Sequence, residues 1–207
     1  DAQENLVAGT GAGACKDADT CNNIMIGCNS GAGLDSGDCN ILMGVNSGCS
    51  MGGGTNNLIL GTEAGKCMSN ATSNVVLGHN SACGASGTLE YNVVIGYQAM
   101  RGTGARESNV IIGREAGCCL GNGWHNIFLG TCAGKDAGNM ACNIAIGRHV
   151  QLPDANGCKQ LAIGDGTSRW ITGDSSFNVC IAGSTIKAMA SGNFCATAFY
   201  GSGANLT

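Results

Sequence analysis

The stretch NLILGTEAGKCMSNATS (Asn57 to Ser73) runs directly into NVVLGHNSACGASGTLEY (Asn74 to Tyr91) and NVVIGYQAMRGTGARES (Asn92 to Ser108). Each begins with Asn, three apolar residues and Gly. The same phrase opens at Asn5 (NLVAG) and returns at Asn23, Asn40, Asn109, Asn126 and Asn143, with degenerate copies at Gln160 (QLAIG) and Asn178 (NVCIA). Successive copies are 17 or 18 residues apart. A fixed period of this size is the mark of a solenoid, in which each turn is one structural unit that only its neighbours can complete.

With Asn as position zero, positions one to three are short aliphatic runs such as Ile-Met-Ile, Val-Val-Leu and Val-Ile-Ile. A run of three closed by Gly favours a strand, because a helix needs ten or more residues and would lose about 1 kcal/mol at each Gly. The Gly column comprises Gly27, Gly44, Gly61, Gly78, Gly96, Gly113, Gly130 and Gly147. It marks a turn whose backbone angle or close approach excludes a side chain. Position seven is then small, as at Ser30, Ala64 and Ala116, and reads as a corner turned inward.

The expected fold is therefore all-β: a parallel β-solenoid, or β-roll, spanning residues 1–172. A last degenerate rung at Asn178 and a capping or exit segment occupy 173–207. Stacking at about 4.8 Å turns Asn23, Asn40, Asn57, Asn74, Asn92, Asn109, Asn126 and Asn143 into a ladder of amides at the edge of a dry core. Eleven rungs predict a rod near 50 Å long by the same spacing.

Alternation along a strand puts positions one and three on one side and position two on the other. The larger set is expected to fill the coil. Position two then faces outward and carries Met25, Leu42, Ile59, Val76, Val94, Ile111 and Phe128. An apolar stripe of that length needs a cover, and the economical one is a further copy of the chain, in a trimer or a dimer.

Composition narrows the functional classes. Gly makes up 36 of 207 residues, about twice its usual share, without the three-residue period of collagen. The net charge is −4 with Lys and Arg dispersed, which leaves no footprint for nucleic acid. No apolar run approaches the roughly 18 residues of a membrane-spanning helix. The chain starts without Met or a signal peptide and reads as a processed product or a fragment.

Of the 14 Cys, many fall at related phases, which brings Cys21 towards Cys39 and Cys142 towards Cys158. Rung spacing lies within the roughly 4.4 to 6.8 Å Cα window of a disulfide, so these four are either bridged or small apolar fillers. His79, His125 and His149 sit at three different phases and there is no C-x-x-C pair, which argues against a metal site. The carboxylates, among them Asp17, Asp19, Asp35 and Asp38, lie in variable legs as solvated surface. Trp124, Trp170, Tyr91 and Tyr97 offer faces for a saccharide or cover the core edge. No catalytic, cofactor-binding or metal-binding residue is assigned.

The copies NVVIGYQAM (Asn92 to Met100) and NIFLGTCAGKDAG (Asn126 to Gly138) resemble the repeats of tail-fibre and appendage proteins of marine bacteriophages, cyanophages especially. IGDGTSRWITGDSSFNV (Ile163 to Val179) and ATAFYGSGANLT (Ala196 to Thr207) resemble the elements that follow those repeats. The Asn-aliphatic-Gly phrase is also similar to the head repeats of trimeric autotransporter adhesins, whose period is shorter. The resemblance implies a fibre shaft on a virion or cell surface that presents or contributes to attachment to a host saccharide or protein. It carries over no receptor-binding residue. A bacterial surface adhesin or self-assembling extracellular filament is the alternative. An ice-binding solenoid would need a flat row of Thr, which no phase supplies.

Overall fold

The computed structural model describes residues 3–84, 87–176 and 179–181. The chain winds into a β-solenoid of about nine turns with no α-helix among the described residues. The strand at positions one to three recurs from Leu6–Ala8, through Ile24–Ile26 and Val75–Leu77, to Leu161–Asp165. All ten copies lie side by side in one parallel sheet, in register: Leu6 pairs with Ile24, Val76 with Val94, Ala145 with Ala162. Nine spacings of about 4.8 Å give this stack a length of about 43 Å. A second, narrower parallel sheet of six strands lies on the return legs, from Gly53–Thr55 to Met140–Ala141.

Two successive turns join the sheets. In the first, the N–H of position seven bonds the carbonyl of the Gly column, as Ala64 N to Gly61 O at 3.2 Å. Position six has positive φ, as at Asn29 (54°) and Glu63 (57°), the sign that the third residue of a type II turn requires. In the second turn, position eleven bonds back to position eight, as Met68 N to Gly65 O at 3.0 Å. Non-Gly residues at positive φ recur before each Asn too, as at Asn22, Ser73 and Tyr91. Such a conformation costs on the order of 1 kcal/mol per residue. It persists because each amide so turned is spent between turns, as Asn29 N to Thr10 O (2.9 Å) and Tyr91 N to Thr72 O (3.0 Å).

Gly61 illustrates why its column admits nothing larger. Its φ is +134°, and a Cβ there would lie 2.7 Å from Gly78 O of the next turn.

The core corrects the expected orientation of the strand. Met25, Leu42, Ile59, Val76, Val94, Ile111 and Phe128 are wholly buried inside the coil, as is Ala145. Positions one and three face outward: Ile24 and Ile26 are partly exposed, and Ile41 (36%) and Met43 (39%) are exposed. The reason lies beyond the strand. Opposite position two the return leg supplies its own apolar residues, Leu34, Met51, Met68 and Leu120 at position eleven and Ala71 and Met140 near the next strand. Their sizes compensate: Met51 accompanies Gly54, whereas beside Phe128 the same positions hold Ala137 and Met140. One inward side chain from the strand is enough to fill this section.

The parallel stack ends at its tenth rung. Leu161–Asp165 turns through Gly166 (φ +58°) into Ser168–Gly173, which pairs antiparallel, as a Gly-first two-residue hairpin turn allows. The expected eleventh rung is antiparallel as well: Val179–Ile181 pairs with Ile171 to Gly173. Asn178 and the expected cap or exit, 182–207, lie outside the described residues.

Candidate functional site

The repeated Asn side chains form a continuous buried ladder. Asn92 is typical: its Nδ2 donates to Asn74 Oδ1 (3.0 Å), Glu90 O (2.9 Å) and Arg106 O (3.0 Å). Its Oδ1 accepts from Asn109 N (3.0 Å) and Asn109 Nδ2 (2.9 Å). The same linkage joins Asn5, Asn23, Asn40, Asn57 and Asn74 below it and Asn109, Asn126 and Asn143 above. An amide is the side chain that donates and accepts along one axis while also bonding the return leg. Gln160 ends the series: its backbone N–H meets Asn143 Oδ1 (2.8 Å), but its side chain turns to the backbone of Asp154.

A shorter ladder went unread in the sequence. Asn139 Oδ1 accepts from Asn122 N (2.8 Å), and Asn156 Oδ1 from Asn139 N (3.2 Å). These Asn recur thirteen residues after the main column, and aligning the return legs as carefully as the strands would have exposed them.

The cysteines are free thiols among the described residues, including Cys21, Cys39, Cys142 and Cys158. The expected pairs are one residue out of phase: Cys21 precedes Asn23 by two, whereas Cys39 precedes Asn40 by one. Cys21 N accordingly meets Asp38 Oδ1 at 2.8 Å. A different pattern occupies position nine, where Cys49, Lys66, Cys83, Arg101, Cys118 and Lys135 alternate over six consecutive turns. Cations on adjacent rungs, about 5 Å apart, would repel by nearly 1 kcal/mol even in water, and alternation doubles their separation. Cys118 Sγ lies 3.6 Å from Cys119 Sγ, and burial together with that contact pushes the Cys118 thiol up to about 12.

Arg106 was also missed. It is 1% exposed, at a core phase that elsewhere holds Ala71 or Met140, and burial pushes its guanidinium down to about 10. Nε and Nη2 donate to Leu120 O (3.2 and 2.9 Å) and Nε also to Gly121 O (3.1 Å). Nη1 has no hydrogen-bond partner among the described residues. A single charged residue in a column otherwise of Gly, apolar residues and Thr20 is a signal visible once the leg phases are aligned.

The remaining polar groups do not converge. His79 stacks on Tyr97 (centroids 5.5 Å apart, planes at 9°), while His125 and His149 lie on other columns. Glu90, Glu107 and Trp124 stand on three adjacent rungs of the narrow sheet and line a shallow groove of about 280 Å³ with Thr88. Trp124, Trp170, Tyr91 and Tyr97 are exposed. Among the described residues no group of three or more His, Cys, Asp or Glu is placed to hold a metal ion, and no helix is long and apolar enough to cross a membrane.

These features define a class by architecture, a tandem-repeat parallel β-solenoid with many cysteines. Comparison with protein-family models, curated proteins and solved structures finds no match in any of the three.

Proposed function

We propose that this chain is a structural shaft segment of a virion fibre or similar surface appendage. It works as a homotrimeric rod that holds a host-attachment element away from the particle and has no catalytic role. The observation that carries the reading is the nature of what repeats. Asn, the Gly column, the small corner residue and the inward aliphatic are all committed to backbone bonding or packing. A fold that spends these four repeated positions on its own continuity is suited to spanning distance. The resemblance of NVVIGYQAM (Asn92 to Met100) to phage fibre repeats supplies the setting. Host contact, where this segment contributes to it, falls to exposed leg residues such as Trp124, and a saccharide or surface protein is the partner class. Copies repeated about an axis would raise weak contacts to useful avidity.

The test is immunogold electron microscopy of native virions with antibody against the recombinant chain. Gold along a tail fibre or appendage is expected. Label confined to the host cytosol, or substrate turnover abolished by a single substitution, would overturn the proposal.

A further inference from the structure

The outward side of the ten parallel strands is aliphatic from end to end. Position one runs from Leu6 to Leu161 and position three from Ala8 to Ile163, and neither row contains a polar or charged residue on any of the ten rungs. The columns flanking them carry polar groups, such as Asn56, Ser73 and Lys159 on one side and Thr62, Arg114 and Arg148 on the other. The outward side of the narrow sheet is different again, with Thr55, Thr72, Glu90 and Glu107 and, as its one large apolar side chain, the exposed Trp124. One face of the rod thus has the apolar centre and polar rim of a protein interface, and the other is built for water.

We propose that this double row is a homotypic docking face, and that its occupant is the same double row of a second copy of the chain. The inference rests on the self-association in the proposed function and names the surface responsible. Two observations select a copy over another partner. The first is period: the rows repeat at the rung spacing of about 4.8 Å, and a partner that keeps matching them across ten rungs must share that spacing, as an identical sheet does. The second is area. Twenty side chains with roughly a quarter of their surface open amount to on the order of 900 Å² per copy, against ~800 Å² per partner in an interface of standard size. Dimers pair the rows across a twofold axis; trimers set row one of each copy against row three of the next.

The test compares Val93→Lys/Ile95→Lys/Val110→Lys/Ile112→Lys with Thr55→Lys/Thr72→Lys on the narrow sheet, using the full chain, reduced. Mass is read by analytical ultracentrifugation and fold by circular dichroism. Two or three copies are expected for the wild type and the narrow-sheet variant, and a folded monomer for the outward-row variant. Should the latter misfold, carbene footprinting of the wild type across a dilution series replaces it: positions one and three should gain label on dissociation, by severalfold over Thr55 and Thr72. A monomeric wild type would overturn both self-association and this face. A wild-type oligomer that survives the row substitutions, or whose rows label equally before and after dissociation, would overturn the face alone.

Discussion

Replacing Asn92 isolates the contribution of the amide ladder, because the residue is interior, 1% exposed and held by five hydrogen bonds. Asn92→Ala strips both groups of Asn109 that had bonded Oδ1 and leaves the carbonyls of Glu90 and Arg106 facing a void. Buried polar groups left unpaired cost about 1 to 3 kcal/mol each, and some find new partners, so a loss of roughly 3 to 5 kcal/mol is expected. Asn92→Asp keeps the shape and still accepts from Asn109, but as a carboxylate it turns an acceptor towards three acceptors. That raises its folded pKa above the ~3.9 of a free Asp. The folded state then holds the proton more tightly than the unfolded chain. Relative to wild type, Asn92→Asp is least destabilised below about pH 4, where both states are protonated, and loses stability as pH rises through the folded pKa. Urea denaturation followed by circular dichroism at pH 4 and pH 8, with thiols reduced, reads both effects. An Asn92→Ala protein within ~1 kcal/mol of wild type would refute the energetic role of the ladder. Equal destabilisation of Asn92→Asp at both pH values would refute the donor argument.

Gly61→Ala should cost about 3 kcal/mol or more, since φ is +134° and the new methyl meets Gly78 O, whereas Gly52→Ala, with its nearest contact at 3.9 Å, should cost less than about 1; paired thermal melts check the contrast. Ile59→Asp, Val94→Asp and Ile111→Asp together should abolish the β-sheet circular dichroism signal, because those residues lie inside the coil, and a folded triple variant would contradict the core. Arg106→Leu should be neutral or stabilising at pH 7. The folded chain bears the cost of the buried cation below pH 10 and is relieved as pH rises from about 10 towards 12.5, so the gain over wild type should shrink there; a loss above ~2 kcal/mol at neutral pH would count against this assignment. Iodoacetamide at pH 8 should leave Cys118 largely unmodified in the native protein but not in urea, as peptide mass spectrometry would report.

The period and the strand column were legible because they follow from backbone constraints that every turn must repeat. Asn at zero and Gly at four recur because each meets its own counterpart on the neighbouring turn, so alignment alone found them. The facing of the strand was a matter of parity. Alternation settles that positions one and three share a side, but three residues do not say which side is inside. The answer lay just past the strand, at residues of the same parity as positions one and three: Ser73 and Lys159 before the Asn, Arg114 and Arg148 after the Gly. Polar residues on that parity point to water and carry positions one and three outward with them. Arg106 and the leg ladder stayed hidden because the return legs differ in length and composition, so their columns appear only after each turn is anchored at both ends.

Turns of 17 and 18 residues leave the strands in the same register: Leu6 pairs with Ile24 across a step of eighteen, as Ile41 pairs with Leu58 across seventeen. An extra residue is absorbed on the leg and never reaches the sheet. Continuity and variation are thereby assigned to different sides of the molecule. Mutation can lengthen, recharge or decorate one flank without changing the strand register of the other, a latitude that would let an exposed surface diversify on an unchanged frame.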